Sequence, residues 1–181
     1  SNDCAFCIRS ITPFVKGHHL ILEQEPEAED IWKAIGDPSA CHEVVFCGLG
    51  EPLIRLDVVK VISNKLKKSN GKVKIRVNSN GQANILHGRN ILTELVGLVD
   101  EITVSLNAPD EETYYRICKP QLGQCAYKGI KEFILEAKRY IPQVSVTALN
   151  GLPGVDIERC RQIAENELGV KFRVREYNEV G

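Results

Sequence analysis

The chain has 181 residues, 43% of them hydrophobic, and a formal net charge of −1. This length supports one substantial core, and the composition is that of an ordinary soluble globular domain. No apolar run approaches the roughly 18 residues needed to cross a bilayer, nothing at the amino terminus reads as a signal peptide, and near-neutral charge offers no basic stripe to a nucleic-acid backbone. A cytoplasmic location with no membrane partner and no nucleic-acid-binding signal is therefore expected. Seven cysteines is an odd number, and they are spread along the chain, which points to reduced thiols and not to a disulfide framework.

In chain order, Cys4-Ala5-Phe6-Cys7 comes first, and two thiolates three positions apart can grip one metal centre. Pro26 is a favourable start for a helix over Glu27–Ile35, and a β-branched run at Val44–Phe46 predicts a strand. Gly48-Leu49-Gly50-Glu51-Pro52 follows it, a turn through which backbone can approach a small ligand closely. Leu56, Val59, Val61, Ile62 and Leu66 predict a helix, whose Lys65, Lys67 and Lys68 suit the negative end of its dipole.

Strands are predicted at Val73–Val77, Ile102–Ser105, Val144–Thr147 and Phe172–Val174, with helices over Asn90–Leu98, Ala126–Tyr140 and Asp156–Leu168, the last stopped by Gly169. Glu111-Glu112 opens a further helix as capping acids, and Tyr115–Gln124, with Pro120 and Gly123, reads as the longest irregular stretch. Successive strand starts lie about 29, 29, 42 and 28 residues apart, the rhythm of βα units and a parallel sheet. The fold class is α/β in one domain, with too few strands for a closed eight-stranded barrel, so a partial barrel or an open sheet is expected.

Ligand chemistry in such sheets gathers at the carboxyl ends of the strands. Those ends hold Cys47 to Pro52, Asn78-Ser79-Asn80-Gly81, Ser105 and Asn107, Leu149-Asn150-Gly151, and Arg175 and Tyr177. Turn chemistry also favours Asn, Ser and Gly at such places, so for any one of them a ligand role and a turn role stand level.

Taken in order, Cys4-Ala5-Phe6-Cys7, Gly48 to Pro52, Asn78-Ser79-Asn80-Gly81 and Ser105-Leu106-Asn107 resemble the signatures of the radical S-adenosylmethionine (SAM) superfamily. Cys7-Ile8-Arg9, Val104 to Pro109 and Leu152-Pro153-Gly154-Val155-Asp156 resemble the subgroup named for association with TatD-type nucleases. The resemblance implies a partial (βα)6 TIM-like barrel spanning residues 1–181, whose first strand and first cluster cysteine would precede Ser1. It implies a 4Fe-4S cluster with one open iron that binds SAM and cleaves it reductively to a 5′-deoxyadenosyl radical.

Cys4 and Cys7 would then be the second and third cluster ligands, with Phe6 near the adenine. Backbone groups of the Gly48, Gly50 and Pro52 run would hold the methionyl ammonium and Glu51 would order the turn, with Leu49 in place of the usual second Gly. Asn78, Asn80, Ser105 and Asn107 would bond the ribose or carboxylate. An electron donor such as flavodoxin or ferredoxin is implied; the substrate is open and includes a macromolecule or partner enzyme. Arg175 is placed between a carboxylate contact and a solvated strand end.

Three other readings compete. A glycyl-radical-enzyme activase would act on a partner, and a degenerate barrel would bind a ligand or protein without catalysis. Cys4 and Cys7 could instead form half of a structural zinc site completed by His18, His19, Cys118 or Cys125. Adjacent His18 and His19 read better as a solvated loop, and Cys41, Cys118, Cys125 and Cys160 as buried or inert thiols, with Cys47 packed at a strand end unless it approaches the site.

Overall fold

A computed structural model describes residues 1–8, 12, 14, 15, 17–69 and 71–177; Arg9 lies outside them. A two-residue hairpin, β1 (Phe14–Val15) and β2 (His18–His19), comes first. His18 and His19 are exposed as expected, but they sit on this strand and not in a loop, because Gly17 at φ 83° makes the turn that returns the chain.

The main sheet is parallel, with strands β3 (Glu43–Phe46), β4 (Lys74–Ser79), β5 (Glu101–Ser105), β6 (Gln143–Asn150) and β7 (Lys171–Glu176) in sequential order. All five lie where the β-branched runs placed them. Because crossovers between parallel strands are right-handed and every step goes the same way, the connecting helices fall on one face of the sheet. No strand order reverses, so this is the singly wound arrangement of a partial barrel, not a doubly wound open sheet.

The helices are α1 (Ala28–Ile35), α2 (Leu56–Ser69), α3 (Ala83–Leu86), α4 (Glu111–Cys118), α5 (Cys125–Tyr140) and α6 (Ile157–Gln162). Ile75 and Val77 of β4, Ile102 and Val104 of β5, and Val146 of β6 pack with Leu56, Val59, Ile62 and Leu66 of α2 and Ile130, Phe133 and Ile134 of α5 in one buried cluster. Val61 belongs to the apolar pattern of α2 yet is exposed, on the far side of the helix from this cluster.

Two stretches differ from expectation. Asn90–Leu98 is not a helix: Leu92–Leu95 forms a single 3-10 turn. Asn84 Oδ1 accepts from Ile91 N at 3.0 Å, Asn90 Oδ1 from Leu92 N at 3.0 Å, and Gly97 takes φ 72°, so side-chain bonds and a left-handed glycine replace the helical ladder. Ile91, Leu92 and Leu95 are still fully buried, which is why their spacing reads as helical. Tyr115–Gln124 is irregular only after Cys118, since α4 begins under the Asp110 cap, whose Oδ1 accepts from Thr113 N at 2.7 Å. The last helix also changes pitch, passing from α6 into a π-helical turn at Ile163–Glu167 before Gly169 at φ 61°.

Candidate functional site

The loop after β3 is fastened to the end of β4 by Glu51. Its carboxylate accepts from Leu53 N at 3.1 Å, Ser79 Oγ at 2.9 Å and Asn80 N at 2.6 Å. Burial pushes the Glu51 carboxyl above the usual range, with these three donors pulling the other way. Ser79 Oγ in turn accepts from Gly81 N at 2.9 Å. Gly81 has φ +76°, and a Cβ there would stand 2.9 Å from Val104 Cγ1 and 3.0 Å from Ile130 Cγ2, so the turn admits only glycine without rearrangement. Gly48 and Gly50 face open space: a Cβ on either would meet nothing within 4 Å.

The amino-terminal segment lies along the end of α4. Lys119 caps that helix at φ 44°, and the segment satisfies carbonyls that the helix end leaves free. Ala5 N donates to Ile117 O at 2.8 Å, Asp3 N to Lys119 O at 3.2 Å, and Gln121 N to Ser1 O at 2.9 Å. Side chains add a second set of ties to β4: Gln82 Nε2 donates to Asn2 Oδ1 at 2.8 Å and to Tyr114 Oη at 2.9 Å, while Asn80 Nδ2 donates to Ser1 Oγ at 2.9 Å. The cysteine turn, closed by Cys7 N donating to Cys4 O at 3.1 Å, is thereby held beside the strand ends.

Cys4 touches Cys118 of α4. A hydrogen bond from the Cys118 thiol is the largest influence on Cys4 and holds it below the ordinary thiol range; the same contact, with burial, pushes Cys118 up. Cys118 is buried as expected but is not an isolated thiol, and Cys160, also buried, is pushed up to about 12 by desolvation. Cys125 and Cys47 are exposed, and Cys47 lies near Arg76. Among the described residues no three His, Cys, Asp or Glu side chains group as a metal site, so His18, His19, Cys118 and Cys125 do not complete a zinc set around Cys4 and Cys7.

Asn107, after β5, adopts φ 60° and is buried; its amide donates to the Cys118 sulfur while its Oδ1 has no partner. Gln82 Oε1 is likewise buried and unpartnered. Two buried acceptors without donors are places where a polar ligand recovers a desolvation cost. Asn78 and Ser105 sit differently: Asn78 Oδ1 accepts from Arg76 Nη1 at 3.3 Å on the inner sheet face, and Ser105 is paired in register with Thr147. Phe6 lines a cleft of about 320 Å³ with Ala5, Arg116, Leu152, Pro153 and Tyr177. Gln82, Tyr114 and Cys118 carry no motif, and only the proximity of Gln82 to Asn80-Gly81 could have marked it.

The family model for the radical SAM superfamily matches residues 1–166. The chain belongs to that superfamily. No curated protein matches the chain in sequence. Among solved structures, Streptococcus suis SuiB bound to the precursor peptide SuiA is similar at 14% identity and TM-score 0.67, over 99% of this chain and 37% of that one. A radical SAM methyltransferase from Sphaerobacter thermophilus is similar at 16% identity and TM-score 0.51, over 97% of this chain and 63% of that one. These likenesses show the fold, and the chain spans little more than a third of the first neighbour and just under two thirds of the second. Radical SAM membership implies an iron-sulfur cluster and SAM, and the chemistry of the residues fits both: two cysteines on one turn, Cys4 biased toward thiolate, unpartnered acceptors on Gln82 and Asn107, and open backbone at Gly48 and Gly50. No helix among the described residues is long and apolar enough to cross a membrane.

Proposed function

We propose that residues 1–181 form one radical SAM core domain of an enzyme that cleaves SAM reductively and abstracts hydrogen from a substrate. The observation that carries this reading is the pinning of the Cys4–Cys7 turn, through Ser1, Asn2 and Gln82, against the strand ends that Glu51 ties together. A 4Fe-4S cluster, when bound, supplies the one-electron reduction that splits SAM into methionine and a 5′-deoxyadenosyl radical.

The protein's part is binding, orientation and shielding. Cys4 and Cys7 provide two of the three thiolate ligands, and the Cys118 thiol steadies Cys4 in the ligating form. Glu51 fixes the turn so that backbone at Gly48, Gly50 and Pro52 meets the methionyl ammonium. Asn80 and Asn107, with Asn78 and Ser105 farther along the inner face, are the polar groups offered to ribose and carboxylate. The cleft beside Phe6 takes the adenine. The wording of Val104 to Pro109 and Leu152 to Asp156 supports placement in the subgroup associated with TatD-type nucleases. That SuiB was solved with a precursor peptide supports a peptide or other macromolecule as substrate. A flavodoxin or ferredoxin as electron donor and a cytoplasmic location belong to the same proposal and rest on the chemistry of reductive cleavage alone.

The test is anaerobic iron-sulfur reconstitution of the chain extended upstream through the expected first cysteine. Cluster absorbance should form, and Cys4→Ala or Cys7→Ala should abolish it while circular dichroism keeps the α/β signature. A full cluster in either variant would overturn the ligand assignment.

A further inference from the structure

The inner face of the sheet treats charge in two ways. On β3, β4 and β5, cations are matched: Arg76 Nη2 lies 3.0 Å from Glu43 Oε2, and Lys74 pairs with Glu101. On β7 the residues facing the same way are Lys171, Arg173 and Arg175, whose register partners on β6 are Ser145, Thr147 and Leu149. None of these is acidic, and among the described residues none of the three cations forms an ion pair. Arg175 is half-buried, its Nε is buried without an acceptor, and burial together with neighbouring Arg173 lowers its pKa from the ordinary value. A buried N–H without an acceptor carries a desolvation cost that an arriving anion recovers.

The same row continues to Tyr177, which lines the Phe6 cleft. Alternate residues of a strand lie about 7 Å apart, so Arg175 and Arg173 stand one and two steps down the inner face from the cleft proposed for adenine. We propose that Arg173 and Arg175 form an oxyanion-binding pair that holds a carboxylate or phosphate group of the substrate. Planar, bidentate donors suit both groups, and the spacing places the bound anion away from the cleft and leaves the rest of the substrate to reach the reacting centre. The word substrate rests on the function proposed above; the anion site does not.

Calorimetric titration of the protein with inorganic pyrophosphate and with a triglutamate peptide tests the pair without cluster or turnover. At least one probe should bind, and Arg173→Gln and Arg175→Gln should each weaken it about ten-fold or more, whereas Lys74→Gln, which removes a matched cation, should leave it in place. Binding of pyrophosphate alone points to a phosphorylated substrate, and of the peptide alone to an acidic one. Arg175→Gln should also raise the unfolding temperature of the probe-free protein, since it removes an unmatched cation; an arginine with only a packing role would lower it. No binding by either probe, undiminished binding in both arginine variants, or displacement of the probe by S-adenosylhomocysteine would overturn the proposal, the last by assigning the pair to the cofactor carboxylate. If the protein fails to make 5′-deoxyadenosine, the catalytic reading falls while the titration result stands.

Discussion

The two faces of the main sheet are built from alternate residues of the same strands, and they share almost no chemistry. On β4, Ile75 and Val77 face the helices and are fully buried, while Lys74, Arg76 and Asn78 between them face the inside and are only partly covered. On β5 and β6, Thr103 Oγ1 and Ser145 Oγ meet at 3.0 Å on the inner face, across strands whose Ile102, Val104 and Val146 fill the outer core. A closed eight-stranded barrel packs its interior with apolar layers. Here one face carries the stability of the fold, which leaves the other free to hold charge for recognition.

That contrast can be broken from its strongest side first. Ile102→Ala removes a fully buried side chain from the outer core and should cost about 2–5 kcal/mol in urea unfolding. A loss well below this would mean that the outer cluster is not the core. Gly81→Ala, which meets Val104 and Ile130 at a left-handed φ, should cost about 1–3 kcal/mol and loosen the Glu51 clamp.

Glu51→Gln sharpens the comparison at the boundary between the faces. It should cost about 1–3 kcal/mol by spoiling acceptors for Leu53, Ser79 and Asn80. Because the folded pKa of Glu51 is raised above 4.5, its contribution is full at low pH and declines as pH rises through the folded value. The penalty of the substitution should therefore be smaller near about pH 8 than near about pH 5. Equal penalties would place the folded pKa at its ordinary position. Least of all, Lys74→Ala on the inner face should change stability by under about 1 kcal/mol, since its pairs with Glu43 and Glu101 are partly solvated.

The outer face was the legible one. Val44, Ile75, Ile102, Val146 and Phe172 announce strands because β-branched and aromatic residues recur at βα spacing, and Asn78, Asn80 and Asn107 mark the strand ends because turn-type residues crowd there, whereas Glu51 stands out only through the resemblance of Gly48 to Pro52 to a family motif. The helix expected over Asn90–Leu98 failed because Ile91, Leu92 and Leu95 satisfy the same burial pattern from a 3-10 turn. Contacts between distant residues left no local mark. Cys4 against Cys118, and Asn2 against Gln82 and Tyr114, arise only when α4 folds beside the amino-terminal segment. The polar inner face itself follows from sequential strand order, which periodicity alone does not reveal.

The central claim is that the pinned cysteine turn and the Glu51-tied loops make a site for reductive SAM cleavage. The direct measurement is chromatographic assay of 5′-deoxyadenosine after the anaerobically reconstituted protein, extended through the expected first cysteine, is mixed with dithionite and SAM. Formation of 5′-deoxyadenosine, lost in Cys4→Ala and Cys7→Ala, is the predicted result; absence of both cluster absorbance and product would contradict it.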